Sequence, residues 1–310
     1  MKKMIKTIIS VIATVLVVNV LAPLHSVTAQ ENKAPEELTI GFTVSTLNNP
    51  AFVFLKDQIE EIGAENGSTI VVLDAQNDAA TQANNMDDFI QQGVDAIIVN
   101  PVDSAAITTS VEAANAANIP VVAVDRSSDG GEVLSVIVSD NVLGGQMAAE
   151  YLIEVLGENA KIGVVEGVPG ASATRERGEG FNNGAEGKLD IVASQTANFD
   201  RAEALVVTEN MLLANPDIQG IFAQNDEEAL GALEAKKAAG LEDVVIIGFD
   251  GAELALESIE DGELDATIGQ RFDEMARLSL DAIYKYYAGE EVEEQILAPV
   301  ELITQENIGE

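Results

Sequence analysis

Short Val/Ile-rich runs alternate with longer helical patterns along almost the whole chain, and this alternation constrains the fold more than any other feature. Strand-like runs stand at 39–44, 69–73, 96–99, 121–124 and 133–138, with helical patterns at 52–65, 79–92, 105–117 and 142–156. The series then restarts, with strands at 161–165, 191–194, 220–223, 244–247 and 266–268 and helices at 173–187, 202–213, 227–239, 252–260 and 273–288. A last extended segment covers 296–304. Nearly continuous apolar character within each run is what a parallel strand needs when helices cover both faces of its sheet. The pattern predicts two α/β halves, each about the size of a domain. No low-complexity linker separates them, so the halves are expected to be intimately joined, with the chain crossing more than once.

Hydrogen-bonding residues sit where the strand runs stop. Ser45-Thr46-Leu47-Asn48-Asn49-Pro50-Ala51-Phe52 follows the first strand, and Asn49-Pro50 is a helix start, because Asn caps free N–H groups and Pro suits the first turn. Asn100, Asp125-Arg126, Asn225-Asp226, Asp250 and Gln270 follow later strands. A single such residue is ordinary capping. Six strand ends carrying polar groups read as two walls of a cleft, since open α/β sheets bind ligands beyond their carboxyl ends. The arginine fork grips adjacent hydroxyl oxygens and Asp accepts hydroxyl protons, so Arg126 and Arg175 with Asp125 suit a neutral polyol. Phe52 and Phe199 would cover the apolar C–H faces of a sugar ring.

Composition removes other chemistries. The chain has 53 acidic and 16 basic residues and a formal net charge of −37, which repels nucleic acid and anionic membranes. With 47% hydrophobic residues it is not a disordered polyanion; a salt-adapted, extracytoplasmic protein is the expected setting. Lys2, Lys3 and Lys6 precede an apolar run over 7–24, and Val27-Thr28-Ala29 is a small-residue cleavage site, so residues 1–29 read as a signal peptide cleaved near Ala29. An uncleaved membrane anchor is the alternative. No Cys follows the run to take a lipid, which favours a periplasm bounded by an outer membrane. The only His is His25, inside that segment, and Cys is absent. The mature chain therefore lacks Ser-His-Asp and Cys-His catalysis and thiolate or imidazole metal sites. Gly178-Glu179-Gly180-Phe181-Asn182-Asn183-Gly184 has the third Gly one place too late for a dinucleotide loop and lies in a helical pattern. Asp74-Ala75-Gln76-Asn77-Asp78 lacks the Gly and terminal Glu of a calcium loop. No cofactor and no metal are expected.

Several segments resemble the periplasmic ribose-binding proteins of ABC transporters: residues 45–50, Asn100-Pro101, Val124-Asp125-Arg126, 139–145, 175–181, 198–201, 222–226 and 248–251. The match runs in one register from Leu38 to the C-terminus. It implies the type I periplasmic binding protein fold, two Rossmann-like lobes with parallel sheets joined by a three-strand hinge and closing on a monosaccharide without catalysis. Crossings are implied near Ser139-Asp140, Gln270-Arg271 and Glu301-Leu302, giving an N-terminal lobe of 38–139 and 271–301 and a C-terminal lobe of 140–270 and 302–310. Residue by residue, the resemblance places Asn49, Phe52, Asn100, Asp125 and Arg126 on one wall, with Ser45 behind them. It places Arg175, Phe199, Asn225, Phe249 and Asp250 on the other wall, and Gln270 on a hinge strand.

One position departs from the pattern, which has two adjacent aromatics after Asn-Pro where this chain has Ala51 and Phe52. Phe54, three residues on, is expected to share the side of Ala51 and refill the gap. Ribose is the first expectation, with allose, xylose, psicose, galactose and inositol as alternatives. The implied partner is a membrane permease driven by a cytoplasmic ATPase, the same trap serving a chemoreceptor as the alternative, and the protein is expected to act as a monomer. Ligand-responsive repressors share the core but carry a DNA-binding helix pair where this chain has its signal-like segment. An exported sugar-active enzyme would need an acid/base carboxylate pair.

Overall fold

A computed structural model describes residues 32–309; the expected signal peptide lies outside the described residues. The first half builds β1 (Thr39–Val44), α1 (Pro50–Glu65), β2 (Thr69–Asp74), α2 (Ala79–Gln92), β3 (Ala96–Val99), α3 (Thr108–Ala116), β4 (Val121–Val124) and β5 (Ser135–Ser139). The second builds α4 (Asn141–Leu156), β6 (Lys161–Glu166), α5 (Ser172–Ala185), β7 (Asp190–Thr196), α6 (Arg201–Ala214), β8 (Gly220–Ala223), α7 (Asp226–Ala239), β9 (Val245–Asp250), α8 (Glu253–Glu260) and β10 (Ala266–Gly269). The chain ends with α9 (Phe272–Ala288), β11 (Gln295–Ala298) and β12 (Glu301–Thr304).

These strands form two six-stranded sheets, ordered β11-β5-β4-β3-β1-β2 and β12-β10-β9-β8-β6-β7. The first is parallel throughout; in the second only β12 runs antiparallel, against β10. The apolar runs explain the layering. In β1, Ile40, Phe42 and Val44 are buried against α1 and α9, while Ile97 and Val99 of β3 pack with Met86 and Phe89 of α2 on the opposite face. Two buried clusters cover the second sheet in the same way. Each sheet is therefore the middle of a three-layer lobe.

The chain passes between the sheets three times. It leaves β5 for α4 at Asp140, whose side chain accepts the Leu143 N–H at 3.0 Å and caps that helix. It returns after β10, so that α9 packs beside α1. The third passage falls at Pro299-Val300, not at Glu301-Leu302, because Glu301 already pairs with Gly269. The segment expected as one strand over 296–304 thus serves both sheets: Ala298 pairs with Ser139 in one, and Glu301 with Gly269 in the other. The third helix also begins later than its apolar pattern, at Thr108 rather than 105. Asp103 Oδ1 accepts the N–H groups of Ala105 and Ala106 at 2.9 and 2.7 Å and makes a separate turn there.

The glycine-rich stretch of residues 178–184 lies inside α5 and serves packing. A Cβ on Gly180 would stand 1.9 Å from the Val142 carbonyl oxygen, and one on Gly145 would stand 2.2 Å from that of Arg177. Only hydrogen at these positions lets α4 and α5 touch backbone to backbone. The acidic stretch 74–78 is equally local: Asp74 Oδ1 accepts the Gln76 N–H at 2.8 Å, and Asp78 caps α2 through the Thr81 N–H. Among the described residues, no cluster of three carboxylates or imidazoles has metal-binding geometry, and no helix is long and apolar enough to cross a membrane.

Candidate binding site

The residues leaving the carboxyl ends of the two sheets surround one space of about 210 Å³. Asn49, Phe52, Asp125 and Arg126 line it from the first lobe, and Ala173, Arg177, Phe199, Asn225 and Asp250 from the second. Its lining sets charged and amide groups beside two aromatic rings, which suits a small polar molecule.

Helix capping aims the two asparagines. Asn49 Oδ1 accepts the Ala51 N–H at 2.9 Å ahead of Pro50, and Asn225 Oδ1 accepts the Glu228 N–H at 2.8 Å at the start of α7. With both oxygens held by the caps, each side chain offers its NH₂ to an occupant. The acids stand on unusual backbone: Asp125 has φ 63° and Asp250 φ 138°, while Asn198 and Phe199 have φ 56° and 61°. Such conformations cost about 1–3 kcal/mol each and persist only where their surroundings enforce them. Here three, Asp125, Phe199 and Asp250, line one cavity, and Asn198 adjoins it in the chain.

Each charged group is braced from behind. Asn100, fully buried, donates to Asp125 Oδ2 at 3.0 Å, while its own oxygen accepts from the Ser45 hydroxyl at 2.6 Å. Gln270 Nε2 donates to Asp250 Oδ1 at 2.7 Å, and its oxygen accepts from Ser139 Oγ at 2.7 Å, tying two crossing segments together. Arg126 Nη1 donates to the Pro101 carbonyl at 3.0 Å, and its guanidinium lies 5.2 Å from the ring centres of both Phe52 and Phe199. Its buried Nε has no hydrogen-bond partner and stands 3.5 Å from Asp125 Oδ2. Arg177 donates to Asn141 Oδ1 at 2.9 Å and to the Gln224 carbonyl at 2.6 Å, stands 3.8 Å from Asp250 Oδ1 and has its guanidinium carbon over Phe249, 3.8 Å from the ring centre.

Burial pushes the Asp125 carboxyl above the usual range against the pull of Arg126 and then Arg177. It pushes Asp250 well above that range, with Arg177 the main opposing charge. Two acids and two arginines balance in charge, and both acids lack the solvation that hydroxyl donors would restore. The arrangement offers hydrogen-bond donors and acceptors suited to a neutral, hydroxyl-rich molecule, with the Phe52 and Phe199 rings in the same lining.

Several expectations need correction. The arginine of α5 that lines the cavity is Arg177. Arg175 is half exposed at the rim, where Nη2 donates to Asp129 Oδ1 at 2.7 Å and Nη1 to the Gly170 carbonyl at 3.0 Å. The helical period carried the signal: Arg177 shares a face with Ala173, Gly180, Phe181 and Gly184, which are buried, and Arg175 projects from the other side. Asn100 and Gln270 hydrogen-bond Asp125 and Asp250 beside the space, and Phe249 lies under the Arg177 guanidinium. Phe54 does not refill the gap beside Ala51. It is 48% exposed, because the buried stripe of α1 runs through Ala51, Phe52, Leu55 and Ile59, and position 54 falls off its edge.

The rim contacts of Arg175 belong to a set that joins the lobes across the cleft. Ser172 N–H donates to Ser104 Oγ at 3.1 Å, Ser127 N–H to Ser172 Oγ at 2.9 Å, and Ser104 N–H to the Gly170 carbonyl at 3.0 Å. This is a closed cleft.

A family model described as periplasmic binding protein domain matches residues 40–291. The chain belongs to that family. Over 305 residues, 98% of this chain and the whole of the relative, it is 47% identical to the ribose import binding protein RbsB of Bacillus subtilis. It is 44% identical to the protein of the same name from Escherichia coli, over 86% of this chain and 91% of that one. Among solved structures, a Caulobacter myo-inositol binding protein bound to myo-inositol superposes with a TM-score of 0.84 at 34% identity, covering 87% of this chain and 94% of that one. The two-lobed binding protein fold is thus common to proteins that differ in the polyol they hold.

Proposed function

We propose that this binding protein captures a monosaccharide, ribose first, by closing its lobes, and delivers it to an ABC transporter permease driven by a cytoplasmic ATPase. The observation that carries the reading is the charge-balanced quartet Asp125, Arg126, Arg177 and Asp250, one acid and one arginine from each lobe, buried around a space capped by Phe52 and Phe199. Relatives at 47% and 44% identity carry the ribose import name, which favours ribose. Each wall contributes hydrogen-bonding groups, so a bound sugar favours the closed form by its extra affinity for it. Changed lobe surfaces are then available to a membrane partner, or to a chemoreceptor. The chain serves as a carrier, not a catalyst, and works as a monomer exported to the periplasm by residues 1–29. Its acidity suits a saline setting.

The similarity to a protein bound to myo-inositol supports a second reading, another sugar or polyol. Ala51, where the resemblance has an aromatic, is buried in the core of the first lobe and does not line the cavity. A thermal-shift screen with ribose, allose, xylose, psicose, galactose and inositol decides between them. Ligand at about 100 times its dissociation constant stabilises by about 2.7 kcal/mol. Ribose is expected to give the largest upward shift. A shift with another sugar alone overturns ribose, and no shift with any of them overturns sugar capture.

A further inference from the structure

Glu228, in the first turn of α7, plays no part in the polar quartet, yet it is fully buried. Its Oε1 accepts the backbone N–H of Phe199 at 2.9 Å, and its Oε2 is buried without a hydrogen-bond partner. A buried carboxyl with one partner destabilises a protein relative to an apolar side chain of similar size. Burial pushes this carboxyl well above the usual range, against the Phe199 N–H and the Arg177 charge. Simple packing at this position calls for an apolar side chain, so its hydrogen bond to the Phe199 N–H is the informative contact.

That contact falls on a loop whose shape needs enforcing. Asn198 and Phe199 are consecutive left-handed residues at φ 56° and 61°, a conformation that a bulky residue such as phenylalanine rarely adopts. The Phe199 ring lies against the backbone of Gly167, where an added Cβ would come within 2.0 Å of it, and its other neighbours are the guanidinium groups of Arg126 and Arg177. The adjacent acid of α7 holds the far side of the same loop: Arg201 donates to both oxygens of Glu227 at 3.0 and 2.7 Å. The first turn of α7 therefore grips residues 199 and 201, while Asn225 at its cap lines the cavity. One short helical turn sets both a polar donor and the aromatic cover.

We propose that Glu228 is a positioning residue of the sugar site, fixing the Phe199 ring over the bound sugar by holding the Phe199 N–H from below. The ligand part of this proposal rests on the sugar-binding reading; the loop part does not. A glutamine at 228 keeps the accepting oxygen, whereas a leucine fills the same volume without it.

The test compares wild-type full chain with Glu228→Gln and Glu228→Leu in two measurements. Hydrogen exchange of the ligand-free proteins, read on peptides covering 196–203, is expected to be about tenfold faster in E228L and unchanged in E228Q. Ribose titration is expected to show affinity about tenfold weaker in E228L and near wild type in E228Q. Unchanged exchange in E228L overturns the proposal, as does an equal loss of affinity in both variants. Should the leucine variant not fold, E228Q decides alone: retained protection and affinity support the proposal, and loss of either overturns it. Should the wild type bind no ribose, the exchange measurement still judges the Glu228–Phe199 contact, and only the sugar reading falls.

Discussion

Arg177 and Arg175 lie two residues apart on one helix and should behave oppositely when replaced by alanine. Arg177 is 3% exposed and gives hydrogen bonds to Asn141 and Gln224, an ion pair to Asp250 and a stacked contact to Phe249. Removing one member of a buried ion pair costs about 3–5 kcal/mol, because the other charge is left unpaired. The hydrogen bonds its fork would give a sugar oxygen are charge-assisted, worth about 1.5–3 kcal/mol. Arg177→Ala should therefore weaken sugar binding by about 100-fold or more and lower the melting temperature. Arg175 is 47% exposed and its partner Asp129 41%, so their pair contributes about 0–1 kcal/mol. It joins the two lobes at the rim and does not line the cavity, so Arg175→Ala should weaken binding by no more than about fivefold and leave the melt almost unchanged. Isothermal titration with the sugar giving the largest thermal shift, alongside circular-dichroism melts confirming folded protein, measures both. Abolished binding in R175A with near-normal binding in R177A would refute the assignment.

Three further outcomes follow from the same geometry. Gly167→Ala places a Cβ 2.0 Å from the Phe199 ring, so sugar affinity should fall at least tenfold while the far-ultraviolet spectrum stays native; unchanged affinity would mean the ring covers nothing. Burial pushes Asp226 up from 3.8 to about 6, so the folded state holds its proton more tightly than the unfolded chain. Its contribution is thus fully present below pH 4 and lost as pH rises through about 6, up to about 3 kcal/mol for two pH units. Thermal melts in concentrated salt should rise between pH 7.5 and 5, and Asp226→Asn should reduce that rise without removing it, because the raised carboxyls of Asp125, Glu228 and Asp250 act in the same direction; the lowered acids Asp78, Asp217 and Asp273 lose their contributions only below pH 4, outside this window. Finally, with a net charge of −37 the melting temperature should climb as salt shortens the Debye length from about 30 to 3 Å; equal melts in dilute buffer and in 1 M salt would remove self-repulsion as a factor.

Much of the candidate site is legible in the sequence. Asn49, Asp125-Arg126, Asn225 and Asp250 follow strands, and residues in those places reach the crevice of any doubly wound sheet. What stayed hidden depended on direction. Asn100 and Gln270 occupy equivalent strand ends, yet the structure turns their amides onto Asp125 and Asp250 as braces. Nothing in their spacing separates a group that touches the occupant from one that holds the toucher. Arg177 was within reach of the helical period but lay beside a better-placed-looking neighbour in Arg175.

By itself, the sequence determined the alternation of elements, the parallel sheets and the number of lobes, because those follow from local periodicity and from apolar runs that must be covered on both faces. It also holds no Cys and a single His, at position 25, outside the described residues. Tertiary structure alone decided the rest: that 296–304 divides at Pro299 between two sheets, that Phe54 faces solvent, that Arg175 latches the rim while Arg177 enters the cavity, and that Glu228 reaches Phe199 across twenty-nine residues of chain. Those facts depend on which groups the two lobes bring together, and such long-range pairing leaves no period in the chain.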